Sequence, residues 1–183
     1  MTAPFRIMPI DRAPARAFVA AHHSHHMAHV GEKFTLGGFL GHELVAVSVL
    51  ARPVAPELQD GETWEVTRLC CGPHAPRYAA SRLLGASTRT AVSAGITLLV
   101  SYTRVDEPGT CYRAANWRPV AYVNGRPHDT GNRAARWLPG LYEPSTEIVD
   151  RIRWEYGPRA RPPGCEWNGH RWSRRNLTEP YRG

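Results

Sequence analysis

Thr63 to Trp117 reads TWEVTRLCCGPHAPRYAASRLLGASTRTAVSAGITLLVSYTRVDEPGTCYRAANW, and this stretch decides the fold. Trp64 to Cys70 predicts a strand, and Cys71 to Arg77 is a Pro/His/Arg loop. Tyr78 to Ala94 predicts a helix, stopped by Gly95, with Ala80, Leu83, Leu84, Ser87 and Ala91 as its core stripe. Arg82 and Arg89 lie off that stripe, towards solvent. Ile96 to Tyr102 is a second strand, and Gly109 to Asn116 a short helix. Two parallel strands joined by a helix place ligand sites at their carboxyl ends. Those ends carry Arg68, Cys70, Cys71, His74, Arg77, Tyr78, Arg104 and Asp106. Strand alternation sets Glu65 and Thr67 on one face and Trp64, Val66 and Arg68 on the other.

Outward from this unit, Phe5 to Ile10 is a first strand. Asp11 caps a helix whose Ala15, Phe18, Val19 and His22 share one face. If that helix continues, His22, His25, His26 and His29 fall on one side, and an i, i+4 pair such as His22 and His26 suits a transition metal. The same histidines also suit substrate contact or proton transfer, and the plain alternative is a polar helix end. Phe34 to Leu40 and Glu43 to Ala51 are strands, and Pro56 to Glu62 is a polar loop. Downstream, Arg118 to Val123 is a strand before the Asn124-Gly125 turn, and Arg151 to Tyr156 alternates like another. The expectation is an α/β chain in the sense of an α+β mixed sheet, with a domain over 1–156 and a basic, Pro/Trp-rich C-terminal extension over 157–183.

Charge is +7, and of 23 basic residues only Lys33 is lysine. Arginine suits planar contacts to phosphate and base edges, although a GC-rich genome also favours it. The extension mixes Arg159, Arg161, Arg171, Arg174 and Arg175 with Trp167 and Trp172, a composition that fits nucleic-acid contact. Cys70, Cys71, Cys111 and Cys165 make neither a CxxC pair nor a disulfide framework. Cys70 and Cys71 read as small buried residues. No apolar run reaches membrane-spanning length, and no signal peptide is evident, so a cytoplasmic protein without a membrane partner is expected. A homodimer is compatible with the sequence.

The order of elements resembles the GNAT N-acyltransferase fold. More specifically, HHSHH…GEKF (22–34), ARPVAPELQDGETWEVTRLC (51–70), SYTRVDEPGTCYRAANW (101–117) and the later VNGRP…RWEY resemble phage and prophage GNAT-like proteins that are similar to the Mom family. That family modifies the exocyclic amine of adenine in phage DNA with an acetamido-type group. The resemblance implies an acyltransferase that masks phage DNA from host nucleases in the host cytoplasm. Its donor would be acetyl-CoA or another acyl or aminoacyl compound. The alternative is a GNAT N-acetyltransferase acting on a small molecule or peptide. The usual GNAT phosphate loop is absent, since Pro73, Pro76, Arg77 and Tyr78 occupy that stretch and proline offers no N–H.

Acyl transfer to an amine needs a base, oxyanion donors and an acid for the leaving group. Glu65 or Asp106 is the expected base. Tyr112 is the expected acid, as the resemblance implies, and Ser101 lines the pocket. Leu69, Cys70, Cys71, Arg77, Tyr78 and Ser81 are expected to hold the donor. His22, His25, His26, Lys33, Arg68 and Trp137 are expected to meet the substrate.

Overall fold

The computed structural model describes residues 3–22, 31–125 and 149–162. In chain order these form β1 (Phe5–Pro9), α1 (Arg12–His22), β2 (Phe34–Leu40), β3 (Glu43–Ala51) and a 3-10 turn at Pro56–Leu58. There follow β4 (Thr63–Cys71), α2 (Ala79–Ser93), β5 (Leu98–Arg104), α3 (Thr110–Ala114), β6 (Arg118–Val123) and β7 (Arg151–Tyr156). The strands make one sheet of order β1-β2-β3-β4-β5-β7-β6. Only β4 and β5 run parallel, so the sheet is mixed, as expected. The second strand of the central unit starts two residues later than the sequence suggests and runs on to Arg104. The short helix is trimmed to a little over one turn. No described helix is long and apolar enough to cross a membrane.

Helices cover both faces because each carries one apolar stripe. Ala15, Phe18 and Val19 of α1 pack on Val47, Val49 and Cys70. On the other face, Leu84 and Ala91 of α2 join Leu50, Val66, Leu99, Tyr112, Trp117 and Trp154. Burying side chains such as Leu83 and Leu84 contributes about 2 kcal/mol each. One pair of polar side chains inside this layer satisfies itself. Ser87 of α2 meets Ser48 of β3 at 2.8 Å between hydroxyls.

Two irregularities in β4 position everything that follows. First, Val49 pairs with Arg68 and Leu50 with Val66, so Thr67 is an extra residue. Such a bulge resets the alternation. Val66 and Leu69 both face α2, while Glu65, Arg68 and Cys70 share the α1 face. The expected placement of Arg68 beside Trp64 and Val66 is therefore corrected. Simple alternation fails because one residue is unpaired. Second, β4 and β5 pair only at Thr63–Leu98, Trp64–Leu99 and Glu65–Val100. Beyond Val66, β4 pairs with β3 alone, and beyond Ser101, β5 pairs with β7 alone. The strands open into a wedge at their carboxyl ends.

Residues 157–162 fold back onto the sheet. Gly157 turns the chain at φ +118°, where a side chain would strike the Thr97 carbonyl. Ala160 packs near Leu58, Leu98 and Val100. Arg159 pairs with Asp60 at 2.6 Å, which holds the Asp60 carboxyl down at about 2.

Candidate active site in the wedge between two strands

On the α2 side of the wedge, Ser101 does what backbone pairing has ceased to do. Its hydroxyl donates to the Val66 carbonyl at 2.9 Å and lies 2.8 Å from the Tyr112 hydroxyl. A serine has one proton and a carbonyl can only accept, so Tyr112 donates to Ser101. Tyr112 is stacked on Trp154 at 5.1 Å and meets Trp117 edge-on at 5.7 Å. Burial drives its phenol well above the ordinary 10, against the lowering effect of Ser101. It is a neutral O–H donor throughout the working range of pH. Trp154 is fixed in turn by its indole N–H, which donates to Thr103 at 2.9 Å.

On the α1 side lies Glu65, 6% exposed, whose carboxylate accepts the Val54 amide at 2.9 Å. Burial raises its pKa above 4.5, opposed by that amide and by Arg68, Arg153 and Arg151. Tyr102 shares this face and is pushed up to about 12, also by burial first. Next to it, Arg153 is 2% exposed and reaches the fully buried Glu155 at 2.6 Å. Glu155 also takes the backbone N–H of Arg161 at 2.8 Å and its guanidinium at 2.9 Å. Sequence reading missed Arg153 and Glu155, because RIRWEY was read only as an alternating strand. The available signal was charge on the buried phase of that alternation.

The start of α2 has no side-chain cap. Ser81 turns its hydroxyl to the Tyr78 carbonyl at 3.0 Å. Arg82 lies over the rings of Phe5 and Tyr78 at 5.2 and 5.7 Å, and Arg77 is exposed. Across from it, His74 meets Glu43 at 2.7 Å between Nδ1 and Oε1. These two and His22 border a cleft of about 110 Å³ floored by Phe18, Leu44 and Val45. Cys70 is buried as expected, its thiol pushed up to about 11 by burial. Cys71, expected inside, is exposed because the strand ends there.

The structure thus brings Glu65, Arg68, Ser101 and Tyr112 to the wedge, with Leu69, Cys70 and Cys71 on its β4 wall. It does not bring every expected residue there. Asp106 is exposed and held bidentately by Arg104, with N–O distances of 3.0 and 3.1 Å. Lys33 lies away from the mouth of the wedge, above the Trp64 ring at 5.6 Å, because β2 begins level with Val66, before the two strands part. His22 is exposed and packs on Phe18 at 4.5 Å. His25, His26 and Trp137 lie outside the described residues. Among the described residues no three His, Cys, Asp or Glu side chains gather to hold a metal ion.

A model of the Mom protein family matches residues 4–133. No curated protein matches the sequence closely enough to count as a relative. Among solved structures, an IAA acetyltransferase from Bacillus cereus superposes with a TM-score of 0.60 at 16% identity, over 84% of this chain and 99% of that one. A Bacillus subtilis acetyltransferase in complex with CoA does so at 0.54 and 13%, over 84% and 99%. A GNAT family acetyltransferase from Elizabethkingia anophelis with acetyl-CoA bound gives 0.53 and 14%, over 84% and 97%. The fold is that of the GNAT acetyltransferases.

Proposed function

This chain belongs to the Mom protein family, and on that premise we propose that it is a phage DNA-modification enzyme. It transfers an acyl or acetamido-type group to a base amine, adenine favoured, which protects the DNA from host nucleases. The observation that carries the reading is the wedge, with a buried carboxylate on one face and a buried phenol on the other. The donor supplies an activated acyl group on a leaving atom such as a thiolate. The residues at its entry fit a CoA-type donor, since the uncapped start of α2 offers N–H groups to a phosphate and Arg77 and Arg82 add charge. Pro73 and Pro76 offer no N–H, and the Ala75 amide is already bonded to the Gly72 carbonyl at 3.1 Å.

Glu65 takes the proton from the attacking amine, and its raised pKa makes it the stronger base. The backbone of β4 past the bulge, freed from β5, holds the oxyanion. Tyr112, kept neutral by burial, turns its O–H from the Ser101 hydroxyl that accepts it at rest and gives that proton to the leaving group. An exocyclic adenine amine is a weak nucleophile because its lone pair is delocalised into the ring. It therefore requires such a base and extrusion from the duplex. A second reading, a small-molecule or peptide N-acetyltransferase, is favoured by the CoA and acetyl-CoA bound to the solved neighbours.

Nucleoside mass spectrometry separates the two. DNA and tRNA from a bacterium expressing the protein are digested and compared with Tyr112→Phe. The expected result is a new deoxynucleoside that falls ~100-fold in the variant. Unmodified host and phage DNA with a folded protein would move the assignment to the small-molecule enzyme.

A further inference from the structure

The bulge at Thr67 sends Arg68 to the face that carries Glu65. The register sends three more arginines there. Tyr102 pairs with Arg153, and Arg104 sits directly opposite Arg151, so these side chains extend the same face towards the mouth of the wedge. Paired residues on neighbouring strands stand ~5 Å apart. Like charges so placed destabilise a sheet, and ion pairing does not fully relieve them. Arg153 is matched by Glu155 and Arg104 by Asp106. Arg151 has no carboxylate at ion-pair distance among the described residues and reaches Glu65 only as a longer-range charge.

We propose that Arg68, Arg104 and Arg151 form a phosphodiester site at the mouth of the wedge, which holds the backbone of the nucleic-acid strand whose base is presented to Glu65. The geometry fits one strand. Two planar guanidinium groups from adjacent strands can straddle a single phosphate and each offer it paired N–H donors. The site lies on the opposite face from α2, whose start would take a donor's phosphates, so acceptor and donor anions have separate places. Each phosphate held this way also orients the attached sugar and limits where the extruded base can go. The proposal rests on the reading of a nucleic-acid acceptor and specifies how that acceptor is gripped.

The test uses the full chain, labelled so that arginine Nε–H signals are visible, with the dinucleotide d(ApA) as a probe carrying one phosphodiester. Loss of individual signals in Arg104→Gln and Arg151→Gln assigns them. The expected result is that d(ApA) moves the Arg104 and Arg151 signals. Arg151→Gln should weaken binding of a single-stranded 12-mer about 5-fold and lower its salt slope by about one charge. Arg89→Gln, on the exposed side of α2, should leave both unchanged. Arg151→Gln removes a like-charge opposition, so its melting temperature should not fall, which separates lost binding from lost folding.

Wild-type binding that Arg151→Gln leaves intact would overturn the site while sparing the DNA reading. An equal response to inorganic phosphate would reduce the site to a generic anion contact and overturn it too, as would a wild type that binds no strand. Absence of a modified nucleoside, with binding still sensitive to Arg151→Gln, would instead overturn the function and leave the site standing.

Discussion

Glu65 and Tyr112 are opposite answers to the same burial. Each is pushed towards its neutral form, but for the acid the raised pKa makes its carboxylate, once formed, the stronger base, whereas the neutral phenol remains a proton donor. The effect on stability has a definite sign. Glu65 has a folded pKa above its ordinary 4.5, so the native state binds the extra proton. The stability this group contributes is complete below about 4.5 and is lost as pH rises through the raised folded value. Glu65→Gln should flatten that part of the stability curve, measured by denaturant unfolding from about pH 4 to about pH 8. In the same variant, the limb of the rate profile governed by the base should disappear. Both residues stand out in the sequence, one as an acid on the central strand and one through the resemblance carried by SYTRVDEPGTCYRAANW (101–117). What was not legible is the Val54 amide that holds the Glu65 carboxylate, because it arrives from a loop 11 residues away.

The short helix α3 is an element whose value lies in one contact. Gly109 opens it at φ +60°, and a side chain there would run into the Trp154 ring. Trp154 is the surface on which Tyr112 stacks. Gly109→Ala should therefore lose more than the ~1 kcal/mol that left-handed backbone alone costs, since the indole must also move. Its near-UV circular dichroism should change with its unfolding midpoint. An unchanged aromatic signal would show that the stack does not depend on Gly109. The glycine was visible as a helix start but not as the neighbour of a tryptophan 45 residues on. The strand β4 teaches the same lesson. Its existence follows from its composition, yet the extra residue at Thr67 is defined only by what β3 pairs with, and that residue decides which way Arg68 faces.

At the scale of the whole molecule, Glu155 joins the last strand to the returning chain, since Arg153 and Arg161 both converge on it. Removing one partner of a fully buried ion group leaves charge without compensation. Glu155→Gln should cost about 3–5 kcal/mol. Arg161→Gln, at a side chain 26% exposed, should cost ~1 kcal/mol or less. Chemical denaturation of the two variants checks this ranking, and equal losses would refute it. From its sequence alone this protein has its strands, its two long helices, the crossover at its centre and a basic balance of charge. Those follow from periodicity and composition, which are properties of a chain segment by itself. Only the tertiary structure decided that β4 bulges, that it parts from β5 after three pairs, and that Lys33 packs on Trp64 instead of reaching the mouth of the wedge. It also decided that charges in RIRWEY are buried. Each of these depends on which backbone groups and side chains a residue meets across the sheet, and a periodic pattern carries no information about its neighbour's register.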